Sequence, residues 1–346
     1  MRNCLLTFAA AAAIMAGSGA ASAQTAAASD YKPPRTTWGV PQLDGVWTNA
    51  SLTSLQKSSA ASAVTVTEAE RAQLLSKNRY TLATIDEAGV SKLDKESSDK
   101  LLADKNPARG YNRFWMEPGS DYARVGNDIR TAWVTSPANG MIPYKPGKRP
   151  GFNVTYDGPE GRPVQERCVS YARLGPVFGN GMYNNNFQIV QTPNHLLINA
   201  EMIHEARSIP IFKSKAEAKH GPLELRNFGG DSVAWYEGDT LVVETVNVRQ
   251  DQRPHITGTG KAIERFTRWK DDEIHYEFRV EDDSIYSQPW SGEQVLRASQ
   301  EQVYEYACHE GNYGMFGILA GARQLEADGR EHPPEKPIFA GLDADE

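Results

Sequence analysis

Toward the C-terminal part of the chain, His309, Glu310, Asn312 and Tyr313 follow Cys308 and surround Gly311. Histidine exchanges a proton near neutral pH, and an adjacent carboxylate orients it where the backbone turns the two together. A tyrosine hydroxyl can donate to an oxyanion as it develops. Gly311 lets the backbone turn so that His309 and Tyr313 face one space. His309, Glu310 and Tyr313 are therefore expected to line a catalytic cavity, with Asn312 binding substrate beside them. The competing reading is a polar network that only fixes the following helix and the neighbouring cysteine.

Three further stretches carry candidates. In "LLINAEMIHEAR" (196–207), one continuous strand puts Asn199, Glu201, Glu205 and Arg207 on one face. His204 then lies on the other face with Ile198 and Met202, unless a bulge changes the parity. His204 is expected to approach the cavity as a catalytic group. Glu201 and Arg207 are expected to bind substrate, or else to form a structural ion pair. In "GMYNNNFQIV" (181–190), Tyr183, Asn185 and Gln188 are substrate-binding candidates. Asparagines so clustered also cap turns. Glu244 shares a strand face with Val242 and Val246, where burial would favour acid–base use and a cross-strand arginine would favour a salt bridge.

Several chemistries lack their signatures. "HEARS" and "HEGNY" have no second histidine to complete a zinc-protease HExxH, neither later cysteine belongs to a CxxC, and no P-loop or GxGxxG opens a helix. The one string resembling a serine-nucleophile elbow, "AGSGA", lies within the first 20 residues. No cofactor and no metal are expected. The net charge of −7 comes without a Lys/Arg cluster, so the footprint of nucleic-acid binding is missing.

The first 23 residues, with Arg2, an apolar run and "ASA" at 21–23, predict a signal peptide cleaved near Ala23 and a periplasmic or secreted protein. No later run is long and apolar enough for a membrane span, so no membrane insertion is expected. Export leaves Cys168 and Cys308, an even pair that predicts a disulfide.

Residues 24–119 predict an arm that wraps the body, irregular except for a short strand at "GVWTN", a helix in "TEAERAQLLSKNRY" capped by Thr67 and Glu70, and a second helix near "SSDKLLADK". From 120 to 325 hairpin signals recur at Gly238-Asp239, Asp271-Asp272 and Gln300-Glu301. In "EIHYEFRVED", Ile274, Tyr276, Phe278 and Val280 alternate with His275, Glu277, Arg279 and Glu281. The fold class is mainly β: an antiparallel, lipocalin-like barrel or highly curved sheet of about nine or ten strands, with a ligand-sized cavity. The arm packs on the body, "NYGMFGILAGARQLEAD" forms a short helix that plugs or flanks the barrel, and residues 326–346 form a loosely held tail.

The ordered set "PQLDGVWTN", "RFWMEPG", "TSPANGMIPY", "ERC", "YNNNFQIVQTP", "EMIHEAR", "GDTLVVET", "IERF", "YEFRVED" and "YEYACHEGNYGMFGILAGAR" resembles a widespread family of exported bacterial β-rich proteins over residues 38–325. The resemblance implies a link to cofactor-free lyases and decarboxylases of lignin-derived phenylcoumaran dimers. Such a reaction needs a general acid or base, a carboxylate binder and an aromatic pocket. Two other expectations compete with an aromatic small-molecule lyase: a non-catalytic carrier of aromatic ligands, and a glycan-processing enzyme.

Overall fold

The computed structural model describes residues 31–78, 80–81, 116–148, 158–171, 174–249 and 255–330. The chain divides into Met1–Tyr31 and Lys32–Glu346, and the fold described belongs to the second unit. The expected leader, the second helix near 97–105 and the tail beyond 330 lie outside the described residues.

The alternating patterns become strands of one ten-stranded sheet. In chain order its members are β1 (Gly45–Thr48), β5 (Val134–Ser136), β6 (Asn186–Gln191), β7 (His195–Ala200), β8 (Ala206–Pro210), β9 (Asp231–Glu237), β10 (Thr240–Val246), β11 (Lys261–Lys270), β12 (Glu273–Glu281) and β13 (Trp290–Ala298). The spatial order is β8-β7-β6-β1-β13-β12-β11-β10-β9, and β5 pairs with the upper part of β13. The ring nearly closes where the chain leaving β8 meets β9, the Phe212 amide donating to the Ala234 carbonyl at 2.8 Å. This is the expected antiparallel, barrel-like sheet, and Ile274, Tyr276, Phe278 and Val280 form the buried face of β12.

Connections divide the barrel into two unlike ends. Tight turns at Thr192–Asn194, Gly238-Asp239 and Asp271-Asp272 close the lower end. The turn from β7 to β8 and the connections from β10 to β11 and from β12 to β13 lie at the upper end. Surface connections on a rigid sheet are where function concentrates.

Four readings of the sequence need correction. The arm does not merely wrap the body: β1 lies between β6 and β13, Trp47 facing Phe187 on one side and Ala298 on the other. A hairpin around Gln300-Glu301 does not form, and residues 302–307 run without ladder pairing. The free side of β13 that such a partner needs is already taken by β1 and β5. The order "DIRTAWVTSPANGMIPY" predicts a strand, a Pro/Asn/Gly turn and a return strand, but after the turn at 137–140 no return strand follows; Tyr144 makes only a single bridge to Tyr286. The fourth concerns the interior, which is packed rather than open. Segment 174–180 enters the upper end, and Phe178 sits among Phe187, Tyr276 and Phe266 at ring distances of 4.8, 4.7 and 5.9 Å.

The helix expected at the C-terminal side is present as α2 (Tyr313–Ala327), and it flanks rather than plugs: Ala322 is its one buried residue. The first helix, α1 (Glu68–Lys77), starts at Thr67, whose side chain accepts from the Glu70 amide. Glu70 does not return to Thr67 as a capping box would; it accepts from the amide and hydroxyl of Ser62. Helix α1 packs through Leu74 against Val66 and Ile129 of a small second sheet built from β2 (Thr65–Val66), β3 (Arg124–Val125) and β4 (Asp128–Arg130).

Candidate functional site

The structure separates the predicted residues. His309 and Glu310 stand exposed on the turn after Cys308, and Tyr313 is 84 % exposed. None of the three lines a described cavity. Asn312 instead caps α2, its Oδ1 accepting from the Met315 amide and its Nδ2 donating to the Glu166 carbonyl. Beside it Cys168 and Cys308 form the expected disulfide. The polar network that holds a chain end is what the Asn312 part of this motif builds.

The stretch 196–207 is a hairpin, not one strand. Ile203 and His204 take positive φ values of 60° and 52°, which turn the chain between β7 and β8. His204 consequently points to solvent, and Glu201 and Arg207 part company. Glu201 is buried outside the barrel wall, accepting from Asn186 Nδ2 at 2.9 Å and from the Tyr304 amide at 3.1 Å. Arg207 is buried inside the barrel and paired with Glu264. Asn185 is a turn clamp: it accepts from the Gly181 amide and donates to the carbonyls of Glu117 and Gly181. Gln188 lies on the exposed face of β6. Tyr183 stacks on Tyr306 at 6.4 Å. Among the described residues Glu244 pairs with no arginine; its carboxylate lies 3.3 Å from His220 Nε2.

A cleft of about 270 Å³ opens where segment 174–180 enters the barrel. Its walls include Leu55, Trp133, Phe178 and Ile256, and its polar groups include Ser54, Asn180 and His255. The local chain conformation explains the shape. Gly175 has φ +93°, and a Cβ there would lie 2.9 Å from Arg207 Nη1 and 3.0 Å from Glu264 Oε1. Only glycine allows the chain to pass over that buried pair. Val177 follows at φ 68°, a strained setting for a β-branched residue, with its amide donating to the Tyr276 hydroxyl at 3.1 Å. Gln294 Nε2 holds the Phe178 carbonyl at 2.7 Å. Asn180 fixes the outer wall by donating to the carbonyls of Ser51 and Thr53. Trp133 is placed by β5, which packs so closely on β13 that a Cβ at Gly292 would lie 2.1 Å from the Trp133 carbonyl oxygen.

His255 is the imidazole of this cleft. Its backbone carbonyl accepts from the Tyr286 hydroxyl at 2.6 Å, and its ring meets Trp290 edge-to-face at 6.2 Å. The arrangement offers an aromatic slot with a proton-transfer group in its wall. Sequence reasoning missed it because "RPHITG" lies in a long connection with no periodic pattern to place it.

Carboxylates gather around Glu117. Burial, and then the negative charges of Glu301 and Glu201, push the Glu117 carboxyl up to about 7, against a hydrogen bond from Asn186. Glu117 also lines a second cavity of about 310 Å³ with Tyr80 and Met116. Among the described residues no group of three His, Cys, Asp or Glu is arranged to hold a metal ion, and no helix is long and apolar enough to cross a membrane.

No protein-family model matches the chain, and no curated protein matches it.

Proposed function

We propose that the protein is an exported, cofactor-independent lyase of aromatic small molecules, decarboxylating or side-chain-cleaving, that binds its substrate in the cleft at the upper end of the barrel. The observation that carries this reading is the convergence of Trp133, Phe178 and Leu55 with His255 on one cleft. Small-molecule sites are concave and mostly apolar with a few placed polar groups, and this cleft has that composition. Its volume suits one substituted ring, the rest of a larger substrate extending toward the connections around it.

His255 takes the acid–base role first assigned to the His309 motif, because a proton-transfer group must lie within hydrogen-bond reach of bound substrate. When CO2 or formaldehyde departs, the pair of the broken C–C bond forms the new double bond and the neighbouring benzylic C–O bond opens; the protonated imidazole gives its proton to the departing ether oxygen, or the neutral imidazole takes the hydroxyl proton as formaldehyde leaves. Asn180 and Ser54 are the neutral hydrogen-bonding groups in the same walls. The motif resemblance to exported phenylcoumaran-dimer lyases supports the reaction class, and the disulfide fits an oxidising compartment.

The test compares His255→Ala with His309→Ala on a phenylcoumaran dimer carrying a carboxyl side chain. His255→Ala should lower turnover by about 10²–10⁴ while retaining ligand binding. Turnover that survives His255→Ala and fails in His309→Ala would return the site to the tail motif. Tight binding by both variants and the parent with no turnover would make the protein a carrier.

A further inference from the structure

The connection from β8 to β9 has a fixed backbone and uncommitted side chains. His220 pins its middle, with Nδ1 3.1 Å from Asp231 Oδ2 and Nε2 3.3 Å from Glu244 Oε1. Asn247, buried just after β10 at φ 55°, donates from Nδ2 to the carbonyls of Leu223 and Leu225 at 3.0 and 3.3 Å. Asn227 bridges to Val248, and its carbonyl accepts from the amides of Gly230 and Arg249. The backbone so held leaves Leu223 and Leu225 outside, 68 % and 66 % exposed, on either side of Glu224. Arg226 is exposed beside them, and no carboxylate among the described residues pairs with it. The other guanidinium of this region, Arg249, lies over the face of Phe228 at 4.8 Å. Loops fixed on a rigid body are where binding groups are displayed, and this one displays two leucines and an arginine.

The same loop touches the connection that walls the cleft. A Cβ at Gly258 would lie 3.0 Å from Arg226 Nη1 and 3.3 Å from its Cζ, so the guanidinium rests on the chain just past His255 and Ile256, both of which line the cleft. We propose that Leu223, Leu225 and Arg226 form a second subsite at the rim of the cleft, which takes the carboxylate-bearing end of an aromatic acid. Arg226 pairs with the carboxylate, and the leucines cover the apolar stem that joins it to the ring. This subsite rests on the reading of the cleft as the substrate site. Two features select an acid over a neutral or cationic ligand. The lining of the cleft contains no lysine or arginine among the described residues, so a positive charge for the ligand has to come from the rim. A guanidinium without a carboxylate partner is matched to a carboxylate by its two parallel N–H donors. Leucines alongside keep water from the pair and strengthen it. The ring then occupies the slot between Trp133 and Phe178, and the acid end leaves it on the Gly258 side.

The test is titration calorimetry of the full chain with two matched probes, a phenylcoumaran dimer carrying a carboxyl side chain and the primary amide of the same compound. The parent protein should bind the acid about tenfold more tightly than the amide, and the preference should shrink at high salt. Arg226→Gln should bring the affinity for the acid down to that for the amide and leave the amide unchanged, and Arg226→Lys should recover part of the preference. Leu223→Ser/Leu225→Ser should weaken both probes several-fold and keep the preference. Circular dichroism of each variant should match the parent, because every changed side chain is exposed. An acid preference that persists in Arg226→Gln would overturn the proposal. Equal binding of acid and amide by the parent, with both lost in Trp133→Ala, would overturn the subsite and leave the cleft as the binding site. Absence of binding by the parent, or binding that neither Trp133→Ala nor Arg226→Gln weakens, would overturn the subsite and the cleft together.

Discussion

Arg207 of β8 and Glu264 of β11 meet inside the barrel, Arg207 Nη1 lying 3.1 Å from Glu264 Oε1, with the guanidinium 5 % and the carboxylate 0 % exposed. The pair braces the seam at which the ring is least complete. Ser232 of β9 and Thr245 of β10 accept from the same guanidinium, and the Tyr276 hydroxyl donates to the same carboxylate. Removing one partner strands a buried charge. Arg207→Ala is expected to cost about 3–5 kcal/mol, whereas Arg207→Met with Glu264→Leu should recover much of it. Urea denaturation midpoints of the three proteins check this; a single variant as stable as the parent would mean that the seam does not depend on the pair.

The Cys168–Cys308 bridge closes a loop with a sequence separation of 140. Long closed loops restrict the unfolded chain most, and loss of such a bridge typically costs about 2–5 kcal/mol. Cys168→Ser/Cys308→Ser should melt at lower temperature, and α2 should become the first site of proteolysis, with trypsin cutting at Arg323 before the barrel. Unchanged cleavage order would show that Asn312 and its contact with the Glu166 carbonyl suffice to hold the helix.

The sheet was legible where alternation and tight turns are local. The hairpins at Gly238-Asp239 and Asp271-Asp272 and the inward set of β12 follow directly from residue order. The failures were non-local. Nothing in "QEQVYEYAC" says that β13 already has neighbours on both sides, and nothing in "LGPVFGN" says that Phe178 fills a barrel formed by later strands. The candidate site was less legible for the same reason. The motif around His309 looked reactive because its polar residues are contiguous, yet contiguity on a turn exposes them. His255 and Trp133 are far apart in sequence and share a cleft only after folding. Glu117 gave no signal, since the burial that raises it, and then the charges of Glu301 and Glu201, arise only on folding.

Glu117 makes stability depend on pH in a definite direction. Its carboxyl titrates near 4.5 in the unfolded chain and at about 7 in the folded protein, because burial and the charges of Glu301 and Glu201 disfavour its anion. Between those values the folded state keeps a proton that the unfolded state has lost, so this group's stabilising contribution falls as pH rises from about 4.5 to about 7 and is gone above it. Glu117→Gln should remove that part of the slope. Melting temperatures at about pH 5 and about pH 8 are the readout; a difference between them that is the same in parent and variant would count against the assignment.

Gly175→Ala tests whether the segment that fills the barrel also builds the cleft. The new methyl group would sit 2.9 Å from Arg207 Nη1 at a φ of +93°, so both backbone strain and steric contact oppose it. Either the buried pair moves or the segment lifts, and lifting withdraws Phe178 from Phe187 and Tyr276. Strain of this kind costs on the order of 1–3 kcal/mol before any packing is lost. Phe178→Ala removes the ring without disturbing Gly175 and is expected to cost about 3–5 kcal/mol through the cavity it leaves. Both variants should weaken binding of an aromatic ligand, because Phe178 and Val177 form one wall of the cleft. Trp133→Ala, which removes another aromatic lining side chain, should weaken binding too. Full-affinity binding by folded Phe178→Ala and Trp133→Ala, measured by titration calorimetry, would move the ligand site away from the mouth of the barrel.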